Sequence, residues 1–319
     1  MRIAFLGAGA LARIYGVRLA TVGAEVSFVV RPERAAESSP FVIEQVNGSK
    51  RRDVLDHPRR VTEIPQDVDL VLVSVRFDQL AQQGPGSVAD LLQRGPERPV
   101  LLLTPSMPGP KAELEQALGR SVHAVMPGVS GYLDDRDVIR YWVTSVATTL
   151  IDEPEGAAFT TFEALARRLT TADIPARLER DVAPLNAGTT TAFFPLIASI
   201  DAGGGIDGVL SDKVLLTMAT DAAKECDALA LKVGRVASWA HYLTRFVGPL
   251  TLKPGVALGR RLFPEAVRFV EIHFGPKLHD QHLAMGASIL ALGREHGVAL
   301  PSLERLMREI EARGAAPKS

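Results

Sequence analysis

The sequence predicts an α/β Rossmann-type N-terminal domain with a mostly parallel sheet, followed by an all-α C-terminal domain. Three observations carry this reading. A short apolar run stops at a glycine turn and opens into helical spacing; strand and helix signals then alternate; beyond about Glu179 strand signals all but vanish.

The first run is Ile3-Ala4-Phe5-Leu6, ending at Gly7. Between Ala10 and Val22 apolar residues recur at Leu11, Ile14, Tyr15, Leu19 and Val22, a helical spacing. Val26 to Val30 is a second buried strand after Gly23, which completes a βαβ unit. Asp69 to Val75 reads as a strand, Asp78 to Leu92 as a helix, Val100 to Leu103 as a strand and Lys111 to Leu118 as a helix. That alternation implies a parallel sheet covered on both faces. Val122 to Ile151 is β-rich, including Val138 to Val143, and Ala157 to Leu169 is helical. Helices are expected at Leu185–Ile200, Asp212–Leu231, Ala237–Phe246, Pro264–Phe274, His279–His296 and Ser302–Arg313, with breaks at Gly203-Gly204-Gly205 and from Gly248-Pro249 to Gly255. The expected domains are 1–179, binding a dinucleotide, and 180–319, helical, for substrate and dimerisation. A frayed tail is expected from Gly314 to Ser319.

Composition narrows the function. The 319 residues, 46% hydrophobic and 23% charged, are those of an ordinary globular protein long enough for two domains. Thirty-six Lys+Arg against 37 Asp+Glu give a net charge of −1, so no cationic field gathers nucleic acid or an anionic membrane. Cys226 is the single cysteine, which excludes an intrachain disulfide and a multi-cysteine zinc site. No apolar run approaches the roughly 18 residues of a membrane span, and Met1 to Leu6 lacks the features of a signal peptide. The expectation is a cytoplasmic, soluble protein with a small-molecule substrate.

Gly7-Ala8-Gly9-Ala10-Leu11-Ala12 is a G-x-G-x-x-A turn directly between the first strand and the first helix. Gly7 allows the tight turn, Gly9 lets a pyrophosphate approach the helix N-terminus, and Ala12 permits close helix–strand packing. A carboxylate at the end of the second strand accepts from a ribose 2′-hydroxyl, whereas an arginine pairs with a 2′-phosphate. Arg31 stands there, with Glu33 and Arg34 beside it, which favours NADP(H). Arg76 adds a second guanidinium. The run Lys50-Arg51-Arg52 with Arg59-Arg60, interrupted by Asp53, Asp56 and Glu63, reads as a solvated loop.

The order of elements, the glycine turn, Arg31, and Ser74-Val75-Arg76-Phe77-Asp78-Gln79 resemble the ketopantoate reductase (2-dehydropantoate 2-reductase) family. So do Phe194-Pro195-Leu196 and His296-Gly297-Val298-Ala299-Leu300-Pro301. The resemblance implies NADPH-dependent reduction of an α-keto acid held between the two domains. It puts Ser74, Arg76, Gln79 and Ser106 with Gly7, Gly9, Ala10, Leu11, Ala12 and Arg31 at the cofactor.

The departures from that family are chemical. Where relatives carry Lys, Asn and Asn at i, i+4 and i+8, an ungapped count gives Asn186, Thr190 and Phe194. The family's lysine acid is missing. Ser106 replaces an asparagine, and Asp280 is the nearest counterpart of a substrate-binding glutamate. Asn186 and Asp280 are therefore the implied catalytic positions. His279 and His282 offer either a proton donor or a polar cleft wall, and no metal site is expected. Cys226 reads as a small core residue. The leading reading is an NADPH-dependent oxidoreductase acting on a small carbonyl or imine compound, homodimeric through the helical domain. Two alternatives stay open: an authentic 2-dehydropantoate 2-reductase, and a non-reducing NADP-binding protein with a repurposed pocket.

Overall fold

A computed structural model of the chain describes residues 1–144 and 148–314. The expected frayed tail falls mostly outside the described residues. Two compact units divide between Ala183 and Pro184.

The first unit runs through β1 (Arg2–Leu6), α1 (Ala10–Thr21), β2 (Glu25–Val29), α2 (Pro32–Ala35), β3 (Phe41–Gln45), β4 (Arg52–Leu55), β5 (Arg59–Val61), β6 (Leu70–Val73), α3 (Phe77–Leu80) and α4 (Val88–Arg94). It continues with β7 (Val100–Leu102), α5 (Pro108–Leu118), β8 (His123–Met126), β9 (Val129–Leu133), β10 (Val138–Val143), β11 (Thr149–Asp152), α6 (Ala158–Thr171) and β12 (Ala176–Glu179). The main sheet has eight strands in the order β12-β11-β8-β7-β6-β1-β2-β5. From β5 to β8 every pairing is parallel, and only β11 meets its neighbour β8 antiparallel. Strands such as β1 and β6 are apolar on both faces because helices cover both faces.

Helix α1 packs close to the sheet because Gly16 has no side chain; a Cβ there would lie 2.6 Å from the Phe28 ring. A second sheet, ordered β4-β3-β10-β9, makes contact with α1 through all four of its strands. Arg18, buried in α1, fastens this layer: its guanidinium donates to Asp53 of β4 and to Asp173 after α6, both at 2.9 Å. Arg51 holds the same two carboxylates at 2.8 and 2.9 Å.

Those contacts correct one expectation. The basic run is not a solvated loop, since it contributes β4 and β5 and Arg51 and Arg60 are engaged. Arg60 donates to the carbonyls of Glu37 and Ser39, both at 2.7 Å, and lies 4.4 Å over the Phe41 ring. The expected helix from Asp78 to Leu92 is also interrupted. Gly84 and Gly86 adopt φ of +94° and +79°, and Ser87 restarts the chain as the cap of α4, accepting from the Asp90 amide at 3.2 Å.

Helix α7 (Val182–Gly203) leads into the second unit. There follow α8 (Ile206–Ser211), α9 (Lys213–Val233), α10 (Ser238–Phe246), α11 (Pro249–Leu262), α12 (Pro264–His273), α13 (His279–Glu295) and α14 (Pro301–Gly314). No strand occurs among the described residues after β12. Asp212 caps α9 by accepting from Val214 and Leu215 amides, and Glu225 of α9 does the same for α14 at Ser302 and Leu303. Helix α11 replaces an expected break: Pro249 sits at its start, where the missing amide costs nothing, although Pro254 lies inside.

Candidate cofactor and active site

In the main sheet β1 lies between β2 and β6, so the chain order reverses between β1 and β6. Open α/β sheets bind ligands at the carboxyl ends of the strands flanking such a reversal. Gly7 follows β1 and Ser74 follows β6. The Ser74 hydroxyl donates to the Leu6 carbonyl at 3.0 Å, which ties the two strand ends together. Gly7 has φ +95°, a left-handed conformation open to glycine, and a Cβ there would meet Val75 and Ser74 at 3.5–3.6 Å.

Gly9 caps α1 in extended backbone, and no side chain caps the helix with it among the described residues. A Cβ on Gly9 would find only the Ser74 carbonyl, at 3.9 Å. First-turn amides and an open cradle therefore face the same space, the arrangement that holds a pyrophosphate. Ala10 and Leu11 form the start of the helix, and Ala12 is fully buried against the sheet. After β7, Ser106 is buried and its hydroxyl has no hydrogen-bond partner among the described residues. An orphaned buried hydroxyl costs about 1–3 kcal/mol, a cost that a ligand group at this strand end removes. These residues fit a dinucleotide.

Sequence reasoning missed Arg13, whose long cationic side chain is 3% exposed although it sits on a helix with an otherwise apolar signal. Its Nε donates to the Ala8 carbonyl inside the glycine turn at 3.0 Å, and its Nη1 to Asp137 at 3.0 Å. Its guanidinium lies 4.4 Å over one side of Phe41's ring, the ring that Arg60 also covers. No local pattern announces this, because Phe41 and Asp137 come from β3 and the β9–β10 turn.

Arg31 is the residue before α2, with its side chain 77% exposed and Nε 3.4 Å from Glu33. Arg34 is paired with Glu37 at 2.9 Å. Arg76 pairs with Asp78 at 2.8 Å, and its amide donates to the Gln79 side chain at 3.3 Å. The structure thus gives Arg76 and Gln79 to the start of α3.

In the second unit, Asn186 is 4% exposed and accepts from the Thr190 hydroxyl at 3.3 Å. Phe194 is fully buried. Gly188, between them, is required: a Cβ would lie 2.1 Å from the Arg235 carbonyl. Asp280 is exposed in the first turn of α13. Its neighbours form a cluster that sequence reasoning had only half found. Asp201 of α7 meets His279 Nδ1 at 3.0 Å and His282 Nδ1 at 3.1 Å through one oxygen. Burial pushes the Asp201 carboxyl up, but hydrogen bonds from His282 and His279 outweigh it and hold it below the usual range. No group of three or more metal-ligating side chains is arranged to hold a metal among the described residues. Cys226 is buried, and burial pushes its thiol up. A separate apolar groove of about 820 Å³ between α10, α11 and α12 includes Trp239, Phe246, Val256 and Phe263. No described helix is long and apolar enough to cross a membrane.

Residues 3–130 match the sequence model of the family described as ketopantoate reductase PanE/ApbA. Curated protein sequences give no match. Among solved structures, 2-dehydropantoate 2-reductase from Geobacter metallireducens is 17% identical with a TM-score of 0.67, covering 98% of this chain and 100% of that one. A PanE/ApbA family ketopantoate reductase from Ralstonia eutropha is 18% identical with a TM-score of 0.67 and 98% coverage of both chains. A D-mandelate dehydrogenase, solved with NADH and anilino(oxo)acetate, is 15% identical with a TM-score of 0.68, again covering 98% of both. Residues 3–130 thus carry the sequence signature of the ketopantoate reductase family, on a fold shared with these solved structures along almost the whole length.

Proposed function

We propose that the chain is an NADP-dependent oxidoreductase that reduces a small carbonyl or imine compound. The observation that carries this reading is the glycine turn at the reversal of sheet order, where an uncapped helix start meets the open space at Gly9; the unpartnered Ser106 hydroxyl, after β7 of the same sheet, supports it. Bound NADPH supplies the hydride.

The chain's own residues do the rest. Gly7 and Gly9 admit the pyrophosphate to the first-turn amides, and Arg13 holds the turn through Ala8. Arg31, exposed to solvent, closes on a 2′-phosphate by a charge-assisted contact, with Glu33 as the competing partner. In the helical unit Asn186 and Thr190 form the substrate-facing part of α7, with the buried Phe194 one turn further along. A stripe of amide, hydroxyl and phenyl suits a less charged substrate than a Lys–Asn–Asn face does. A homodimer through the exposed apolar residues of α10 and α11 belongs to the same reading, supported by a Staphylococcus aureus ketopantoate reductase of the same fold described as dimeric.

The experiment is a titration of the purified protein with NADPH and NADH, followed by NADPH consumption with 2-dehydropantoate, other 2-oxo acids, aldehydes and cyclic imines. Turnover of 2-dehydropantoate above all others would make it the authentic reductase. Tight NADPH binding with no consumption would leave the non-reducing reading. Anilino(oxo)acetate, a 2-oxo acid analogue that lacks a reducible ketone, serves as the dead-end ligand.

A further inference from the structure

We propose that Glu37 is a built-in competitor for the cofactor's 2′-phosphate: it occupies Arg34, a second guanidinium of that site, and so limits the preference for NADPH over NADH. The inference rests on the dinucleotide reading above and adds to it the residue that tunes the choice of cofactor.

A phosphate dianion offers three acceptor oxygens, more than one guanidinium serves. The chain supplies a second guanidinium one turn beyond Arg31. The Arg34 amide donates to the Arg31 carbonyl at 2.9 Å and the Glu37 amide to the Arg34 carbonyl at 3.3 Å, so the three residues follow at steps of three along α2 and its end. Residues at that spacing share one side of a helical turn. Helix α2 itself follows the carboxyl end of β2, the place where such folds read the adenosine ribose.

Glu37 takes Arg34 as a phosphate would. Arg34 Nε donates to Glu37 Oε1 at 2.9 Å and Nη2 to Oε2 at 3.1 Å, the two-pronged geometry that a guanidinium uses for carboxylate and phosphate alike. Both side chains stay open to solvent, 40% and 38% exposed, so an incoming anion reaches the pair. The surroundings are cationic. Arg60 Nε lies 4.0 Å from Glu37 Oε2, and the hydrogen bonds from Arg34, with the charges of Arg34, Arg60 and Arg13 behind them, hold the Glu37 carboxyl below the usual carboxylate range. Arg13 and Arg60 each lie 4.4 Å from the centre of the Phe41 ring, and Arg13 also donates to Ala8 in the glycine turn. A single ring therefore links the arginine beside Glu37 to the one that holds the turn.

Three guanidiniums, Arg13, Arg34 and Arg60, face two carboxylates, Glu37 and Asp137, and leave one positive charge in excess. A phosphate on Arg34 meets that excess, but its gain is offset by the bonds that Glu37 gives up. With Glu37 in place the preference rests on Arg31, and Arg34 contributes fully only when Glu37 loses its charge. Exposed ion pairs are weak enough to open, so Glu37 tunes the site without closing it. Its backbone is held independently of its carboxylate: Arg60 donates to the carbonyls of Glu37 and Ser39, both at 2.7 Å. Glu37→Gln thus removes the charge and leaves the segment anchored.

The test titrates the full chain with NADPH, NADH and adenosine 2′,5′-bisphosphate, the last carrying the adenosine end alone, with circular dichroism reporting that each variant is folded. Glu37→Gln should tighten NADPH and the bisphosphate by about fivefold or more and leave NADH unchanged. In the double variant Glu37→Gln with Arg34→Gln the gain should vanish, because the phosphate loses the guanidinium that Glu37 had released. Adding Glu37→Gln to Arg31→Ala should restore part of the preference for NADPH. An NADPH affinity in Glu37→Gln within about twofold of the wild type, an equal gain for NADH, or a gain that survives the loss of Arg34 overturns the role of Glu37 while the dinucleotide reading stands. A wild type that binds neither NADPH nor NADH overturns that reading and this one together.

Discussion

Arg13 Nε donates to the carbonyl of Ala8 at 3.0 Å, so the glycine turn is held by a buried guanidinium from the helix that it starts. That cation is shared between the turn, Asp137 and the Phe41 ring, which couples the glycine turn to the small sheet. Replacing Arg13 by Ala removes a buried charge-assisted bond, a contact in the range of about 1.5–3 kcal/mol. Dinucleotide affinity should weaken by tenfold or more, and Arg13→Lys should rescue it only in part because a point charge cannot serve both acceptors. Isothermal titration with NADPH, beside a melting curve, separates the loop effect from general destabilisation. Unchanged affinity in folded Arg13→Ala would show that the turn holds itself.

In the proposed function Arg31 sets the choice between dinucleotides. A charge-assisted contact of about 1.5–3 kcal/mol corresponds to roughly ten- to hundredfold in affinity, reduced here by the competing Glu33. Arg31→Ala should therefore bring NADPH down to the level of NADH without weakening NADH. Equal affinities in the wild-type protein would contradict the assignment.

Much of this was legible in the sequence, and the reasons differ by element. β1, α1 and β2 were plain because a buried strand is a continuous apolar run and the turn carries two glycines. The break between α3 and α4 is written in Gly84-Pro85-Gly86, which the helical spacing on either side obscured. β3 to β5 were missed because Phe41, Ile43 and Gln45 alternate with residues less buried, and because Arg51 and Arg60 look solvated until Asp173 and Phe41 arrive from elsewhere. Helix α11 hid behind two prolines. The glycine turn is a local signal; the Asp201–His279 pair spans 78 residues, and nothing nearby in sequence announces it.

Asn186→Lys discriminates between substrate classes. If the substrate is a ketone, an ammonium at this position should raise turnover by supplying support to the developing alkoxide. If it is an iminium ion, the positive charge precedes hydride transfer, and the lysine should slow turnover by like-charge repulsion. Steady-state rates with both substrate types read the sign. No change in Asn186→Lys and in Asn186→Ala would remove Asn186 from the substrate-facing stripe.

Helices α10 and α11 expose Tyr242, Phe246, Leu250, Leu258 and Leu262, an apolar set of the kind that marks an association surface. Sedimentation velocity should find a dimer in the wild type and a monomer in Phe246→Glu. A wild-type monomer would contradict the homodimer.

The most direct test of the account is a fluorescence titration of the wild-type protein and Gly9→Val with NADPH. In the present backbone the Cβ of a valine at this position meets nothing of the protein closer than the Ser74 carbonyl, at 3.9 Å, and the side chain projects into the space that the proposed function gives to the pyrophosphate. The wild type should bind, and the variant should lose binding with an unchanged circular dichroism spectrum. Undiminished NADPH affinity in a folded Gly9→Val protein would contradict the claim that this turn is a dinucleotide site.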